Sequence, residues 1–293
     1  MEVGGDVPAQ PTTVTISDCT FSSNVADWTT GIGRGAAVIT HGTLVVRRTL
    51  FVANLSAWGA VSHFGDAQIE DSEFRENWSY HQVAALELDG QGQWFVERCL
   101  FRENTVQVRG ASAIFFWGGG DLTVSNSTFY SNASSSGVVL GGTVSPLLLT
   151  NSTFFGNTGV APTNGVLRVT GSTATVVSNL FSENDAREWD SSTAGTGSRW
   201  VASYNLFSSF GTYLPGVLCG QTTAGGANLC GVSNAYLIPL ANNGGSTWTM
   251  GLGFGSRALD QGANPRFVSS DQRGFGYARS ANGRVDIGAY EWQ

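Results

Sequence analysis

The phrase Phe-x-x-Asn recurs along the chain, and that interval restricts the fold more than any other feature. Copies begin at Phe21, Phe51, Phe74, Phe101, Phe129, Phe154 and Phe181, with Asn24, Asn54, Asn77, Asn104, Asn132, Asn157 and Asn184 three residues later. An eighth, at Phe207, carries Phe210 where the Asn would stand. Successive phenylalanines are 30, 23, 27, 28, 25, 27 and 26 residues apart. A period of that length with variable loops marks a solenoid whose units bury their faces only against neighbouring units. A propeller blade needs about 40–45 residues and is excluded.

One unit shows what each turn contains. A short run around Phe74 ends at Asn77, a second run follows at Ala84–Leu88, and a third at Gln93–Glu97 comes after the Gly-rich corner Asp89-Gly-Gln-Gly92. Three short β-runs broken by Gly and Asn fit a parallel β-helix coil, and no segment sustains the 3.6-residue apolar period of a helix. Stacking at about 4.8 Å per coil places each Phe ring on the next. It also places each Asn where its amide can bond the next coil, or where it can supply left-handed turn geometry. Two residues before Phe, an inward column reads Cys19, Thr49, Ser72, Cys99, Ser127, Ser152, Asn179 and Asn205. Three residues before Phe, an outward column reads Asp18, Arg48, Asp71, Arg98, Asn126 and Asn151, alternating charges that act as solvated surface ladders.

Composition removes several functions. The chain has 293 residues and a formal charge of −7, its 15 basic residues are all arginine, and nothing gathers them into a stripe, which argues against nucleic acid. Without lysine there is no lysine nucleophile, Schiff base or lysine-dependent lyase chemistry. No apolar run reaches the roughly 18 residues of a membrane span, and Met1–Asp6 has neither the basic nor the apolar region of a signal peptide. The first strand begins almost at once near Thr13, so an excised or mature form of a longer secreted protein is expected. No C-x-x-C or His/Cys cluster exists, so neither a metal site nor a cofactor is expected. Cys219 and Cys230 flank a Gly- and Thr-rich stretch and can close it as a disulfide, whereas Cys19 and Cys99, three coils apart in one column, cannot pair.

Coils are expected over residues 1–210, with the longest excursion at Asp185–Arg199, and 211–293 as a final irregular coil and C-terminal cap of the same solenoid. Asp271, Arg273, Arg284, Asp286 and Glu291 read as a charge-paired network tying down the solenoid's end. The Phe-x-x-Asn repeat, alternating with Gly35-Ala36-Ala37-Val38, Gly59-Ala60-Val61 and Ala84-Ala85-Leu86, resembles the repeats of chlamydial polymorphic outer-membrane protein passengers. Ala258–Gly262, Asp271–Gly274 and Asp286–Glu291 resemble the ends of bacterial β-helix proteins with a choice-of-anchor domain. The resemblance implies an all-β, right-handed parallel β-helix, exported to the extracellular space or cell surface, and it implies no catalytic residues. No barrel and no sorting helix follow Glu291, which leaves anchoring open.

A ligand face is best placed on the middle strand. Aligning coils puts Ile39, Ser62, Glu87, Phe115, Leu140 and Arg168 in one outward column, and His41, Phe64, Asp89, Trp117, Gly142 and Thr170 in the next. Glu87 and Asp89, both open to water, form an acidic centre flanked by Phe64, Phe115 and Trp117. Rings stack on sugar faces and carboxylates bond hydroxyls, so this constellation suits a polysaccharide or another cell-surface macromolecule. The two carboxylates, with His41 or Arg168, are also the candidates for acid–base cleavage of a glycosidic bond. They lie i and i+2 on one strand, about 6.5–7 Å apart, and nothing in the sequence separates their pKa values. Trp58, Trp78 and Tyr80 add a possible aromatic strip beside the Asn turns. Catalysis, glycan contact and a plain solvated face all stay open, the last making the protein a structural spacer. A monomer is expected.

Overall fold

Each coil leaves the Phe strand through a tight corner, crosses a two-residue strand, and returns through two longer strands to the next Phe. The computed structural model describes residues 12–293 except 28, 30–32, 109, 137, 160–164, 186, 190–196, 209–226 and 282. Among the described residues there is no α-helix, and all strand pairings in the three sheets are parallel. The coils make about seven turns. The middle and third strands form a 13-stranded sheet, the Phe strands a nine-stranded sheet, and the residues after each Asn a five-stranded sheet. That last ladder (Leu55–Ser56, Trp78–Ser79, Thr105–Val106, Ala133–Ser134, Thr158–Gly159) is a fourth strand per coil where a loop was expected.

The Phe flank is built from identical residues stacked on themselves. From Phe21 to Phe207 the rings lie 4.4–5.1 Å apart and within 16° of parallel. From Asn24 to Asn184 each Nδ2 donates to the next coil's Oδ1 at 2.8–3.0 Å. The same Oδ1 accepts the backbone N–H beneath it, and the second Nδ2 proton bonds a Phe carbonyl one coil back, as Asn104 does to Phe74 at 2.9 Å. Every polar group of the amide is thereby satisfied in the interior, where an orphan costs about 1–3 kcal/mol.

Asn does not supply the left-handed turn. That conformation belongs to the residue before it (Ser23, Ala53, Glu76, Glu103, Ser131, Glu183) and to the residue three before Phe (Asp18, Arg48, Asp71, Arg98, Asn126, Asn151), with φ from 45° to 57°. Two left-handed residues therefore bracket the short Phe strands from Phe21 to Phe181, a strain that the ladders on either side hold in place. The second ladder is the column two before Phe. Ser72, Ser127 and Ser152 accept a backbone N–H from the preceding coil and donate to a carbonyl two residues back. Asn179, Asn205 and Asn228 then take over.

At the opposite corner, side chains are excluded. A Cβ on Gly65 would stand 2.1 Å from the Gly42 carbonyl, one on Gly92 2.1 Å from Gly65, and one on Gly120 2.3 Å from Gly92. Strands Val38–Arg47 and Val61–Glu70 run through this corner unbroken; from Leu86 onward it splits each crossing into two strands.

The described part of the C-terminal segment first adds a rung to the Phe sheet, with Leu229–Cys230 beside Leu206–Phe207, and then lies along the outside of the Phe flank. Gly288 donates to the Ser178 carbonyl (2.9 Å). Ala289 donates to Thr153, Thr128 to Gln272, and Gln272 to the Cys99 carbonyl. The segment thus runs back from the last coils to the coil of Cys99 as a strap. It buries the column just before Phe (Leu100, Thr128, Thr153, Leu180, Leu206) and forms a second small core there with Val232, Leu252, Ala258 and Ile287. Where the strap lies, the left-handed corner carries Asn126 and Asn151, which bond it. Beyond the strap the corner carries the bidentate pair Asp18–Arg48 (2.7 and 2.6 Å), and at the strap's edge, where Thr247 donates to the Arg98 carbonyl, it carries Asp71–Arg98 (2.8 and 3.0 Å).

The expected charge network exists, and it anchors the strap. Arg273 binds Asp271 and lies between Tyr277 and Tyr290, 4.0 and 3.9 Å from their ring centres. Fully buried Arg279 bonds Glu291 (3.1 Å) and the carbonyls of Asp286 and Gly288. Arg284 is exposed and lies outside it.

Candidate functional site

The middle strands bring the expected residues onto one face, with one shift of register that changes two of them. The first column is Ile39, Ser62, Glu87, Phe115, Gly141 and Arg168. The second is His41, Phe64, Asp89, Trp117, Thr143 and Thr170. A bulge between Ala111 and Ile114 moves Leu140 into the core and brings Gly141 out, and Gly142 turns inward to make room for the Phe116 ring. Phe64, Phe115 and Trp117 are half-buried, each with part of its surface on the outer face.

Glu87 is not open to water. Its side chain has 0% exposure, against 18% for Asp89. Its Oε2 accepts from Ser62 Oγ at 2.7 Å, and Arg34 Nη1 stands 3.6 Å from its Oε1 and 3.7 Å from Asp89 Oδ2. Arg34 carries no signal in the sequence beyond the short Gly-Arg-Gly phrase that holds it. It reaches the site because its turn is bonded to the next coil, where Ala57 and Trp58 donate to the Gly33 carbonyl, Arg34 bridges Trp58 and Gly35 donates to the Trp58 carbonyl. The guanidinium then lies 4.7 Å from the Trp58 ring and 5.1 Å from the Phe64 ring. One cation spans two carboxylates and two aromatic faces, a contact worth more when desolvated.

Burial pushes the Glu87 carboxyl above the ordinary carboxylate range, opposed by the Ser62 hydrogen bond and the Arg34 charge. Trp117 Nε1 is buried nearby, close enough to favour the charged form without completing a hydrogen bond, and Glu87 Oε1 likewise accepts none. Depth thus sets the Glu87 carboxyl apart in a way that the sequence did not reveal.

The other candidates are not gathered around this pair. His41 is exposed and stacks on Phe64 at 4.7 Å, which puts it two rungs, about 10 Å, from Asp89. Arg168 lies three rungs from Glu87, roughly 14 Å, and with Phe115, Gln82 and Thr143 lines a separate cleft of about 210 Å³. Trp58 and Trp78 do not share a register, so they form no single strip: Trp58 carries Arg34, while Trp78 sits on the five-stranded ladder beside Tyr80, 6.2 Å away. His63 is an inward core residue bonded to the Asp66 carbonyl, its pKa lowered by burial.

Cys230 is disulfide-bonded; Cys219, its expected partner, lies outside the described residues. The buried Cys99 thiol is pushed up to about 12 by desolvation and is chemically quiet. Among the described residues, no three His, Cys, Asp or Glu side chains are placed to hold a metal ion, and no helix is long and apolar enough to cross a membrane.

A family model described as a right handed beta helix region matches residues 58–209, just over half of the chain. No curated protein and no solved structure matches it.

Proposed function

The chain belongs to the right-handed β-helix family, and from that premise we propose that it is an exported, monomeric surface protein whose middle-strand face binds glycan without cleaving it. The observation that carries this reading is the Arg34 clamp. Glu87 and Asp89 are tied to one cation between two rings, which makes them fixed polar contacts beside Phe64, Phe115 and Trp117. Half-exposed rings on a rigid parallel ladder offer flat surfaces to sugar faces, and the Asp89 edge offers hydroxyl contacts. Fold alone does not select among binding, lyase and hydrolase activity. What disfavours catalysis is reach, because a fully buried Glu87 cannot touch a glycosidic oxygen from this position, and His41 and Arg168 stand rungs away.

One observation favours a hydrolase as the second reading. Glu87 is held toward its protonated form by burial, as a general acid requires, and a second carboxyl stands beside it. A glycan array on the purified chain, followed by reducing-end assay of any hit, separates the two. Binding without new reducing ends, lost in Trp117→Ala and kept in Glu87→Gln, supports the binding face. Reducing ends that disappear in Glu87→Gln establish the hydrolase. An unsaturated uronate product, detected by ultraviolet absorbance, indicates a lyase, and silence across the array leaves a structural spacer.

A further inference from the structure

We propose a second carbohydrate site on the opposite flank, in the groove between the strap and the first Phe strands, selective for neutral oligosaccharides. Two clefts meet there. One, of about 770 Å³, lies between the Gly274–Ala278 loop and the corner residues Arg48, Asp71 and Arg98. The other, of about 440 Å³, continues over Asp18, Thr20, Leu50 and Glu73, and the two share Arg48, Asp71 and Ser246. Together they follow four successive corners, Asp18 to Arg98, about 14 Å along the axis, the length of a short oligosaccharide. Each cleft is of the size that takes a small ligand.

The floor and rim have different chemistry, and both suit a sugar. The floor alternates carboxylate and guanidinium once per coil, and each pair leaves outward-facing lone pairs and N–H groups. Each lining charge is paired within the protein: Asp18 with Arg48, Asp71 with Arg98, Glu73 with Arg102, and Arg273 with Asp271. The groove therefore has no net field to draw in a polyanion or a polycation, and donors and acceptors recur along it as hydroxyls do along a neutral chain. The rim is Phe275, whose ring is fully exposed. It stands between Gly274 and Gly276, both left-handed, in a loop closed by Gly274 N–H to the Asp271 carbonyl and Tyr277 N–H to the Gly274 carbonyl. The Arg273–Asp271 pair, gripped by Tyr277 and Tyr290, holds that loop from below. A large ring that buries nothing in its own protein, on a loop this constrained, is preorganised for an outside ligand.

This site stands on its own geometry and not on the Glu87 face, so either can fail without the other. The test is calorimetric titration of the full chain with cellohexaose, xylohexaose and mannohexaose, with polygalacturonate as the acidic competitor. Three variants accompany the wild type: Phe275→Ala, Ser246→Trp and Trp117→Ala. Phe275 and Ser246 are both exposed, so unchanged melting temperatures are expected and confirm that the variants fold. The expected result is saturable binding of at least one neutral oligosaccharide, weakened about tenfold by Phe275→Ala, abolished by Ser246→Trp, and retained in Trp117→Ala. Failure of all three neutral sugars to bind overturns the proposal. So does binding that both groove variants leave untouched, or a preference for polygalacturonate.

Discussion

Along the Phe flank, the buried Asn amides bond copies of themselves one coil away; in the strap lying on that flank, the buried charges bond groups unlike themselves. Asn104 donates to Asn132 and accepts from Asn77. Arg279 serves Glu291 and the carbonyls of Asp286 and Gly288, and Glu291 in turn accepts from Ala281 and Asp286. The flank is neutral, repeated and additive, as nearest-neighbour coils must be. The strap is charged and unrepeated, so its stability rests on a few sites that are worth little unless all are satisfied.

The largest effect is expected from cutting the stack at its centre. Phe101→Ala removes a ring held 4.9 and 5.1 Å from its neighbours and should cost about 3–5 kcal/mol. Phe21→Ala, at the half-buried first rung, should cost clearly less. Denaturant midpoints of the two variants measure the difference, and equal losses would mean that the flank is not stabilised coil by coil. In the strap, Arg279→Met leaves the Glu291 carboxylate buried without its cation, a loss of about 3 kcal/mol or more. Hydrogen exchange should show protection lost over residues 258–291 while amides of the Phe strands keep theirs. A uniform loss would show strap and solenoid to be one cooperative unit.

Acidity separates the two regions next. Burial pushes Glu291 up to about 7, against Arg279 and two backbone N–H groups that favour its charge, and burial raises Asp286 as well. A carboxyl whose folded pKa exceeds its unfolded value near 4.5 stabilises the fold fully below that value. That contribution disappears as pH rises through about 7. The strap should therefore loosen between mild acid and mild alkali by no more than about 3 kcal/mol. The amide and phenyl ladders have nothing to titrate across that range. Limited proteolysis at the two pH values reads this directly, and a strap equally resistant at both would contradict it.

The same contrast explains what the sequence disclosed. Repetition made the flank legible: Phe and Asn recur at one phase because each must meet its own copy, and Ser because each hydroxyl must meet the same backbone groups. The middle-strand face was legible almost to the residue, and it slipped by one only at the Ala111–Ile114 bulge, which no periodic alignment foresees. Arg34 was not legible, since it belongs to a turn rather than a column and finds Glu87 only through the fold of the preceding coil. Glu87 read as exposed because its column faces outward; Arg34, Ser62 and Trp117 bury it. The strap's path was written in the corner column, where Asp and Arg give way to Asn126 and Asn151, and before Phe, where Glu73 gives way to Leu100. Those changes look like loss of a repeat until something is seen lying on them.

The smallest expected effect tests whether cover, rather than pairing, sets what a corner ion pair contributes. Asp18–Arg48 and Asp71–Arg98 have the same residues, the same left-handed backbone and the same bidentate geometry. They differ in surroundings. Asp18 and Arg48 are exposed, whereas Arg98 is shielded under the strap's edge, its carbonyl accepting from Thr247, with Glu70 and Glu97 3.5 and 3.4 Å from its guanidinium. An exposed pair loses to water most of what it gains, while a shielded one with extra carboxylates keeps more. Asp18→Ala should leave the melting temperature unmoved, and Asp71→Ala should cost about 1 kcal/mol, falling only modestly in high salt. If both variants are silent, the strap's edge leaves Arg98 as hydrated as Arg48. If both cost alike, pairing geometry outweighs cover at these corners.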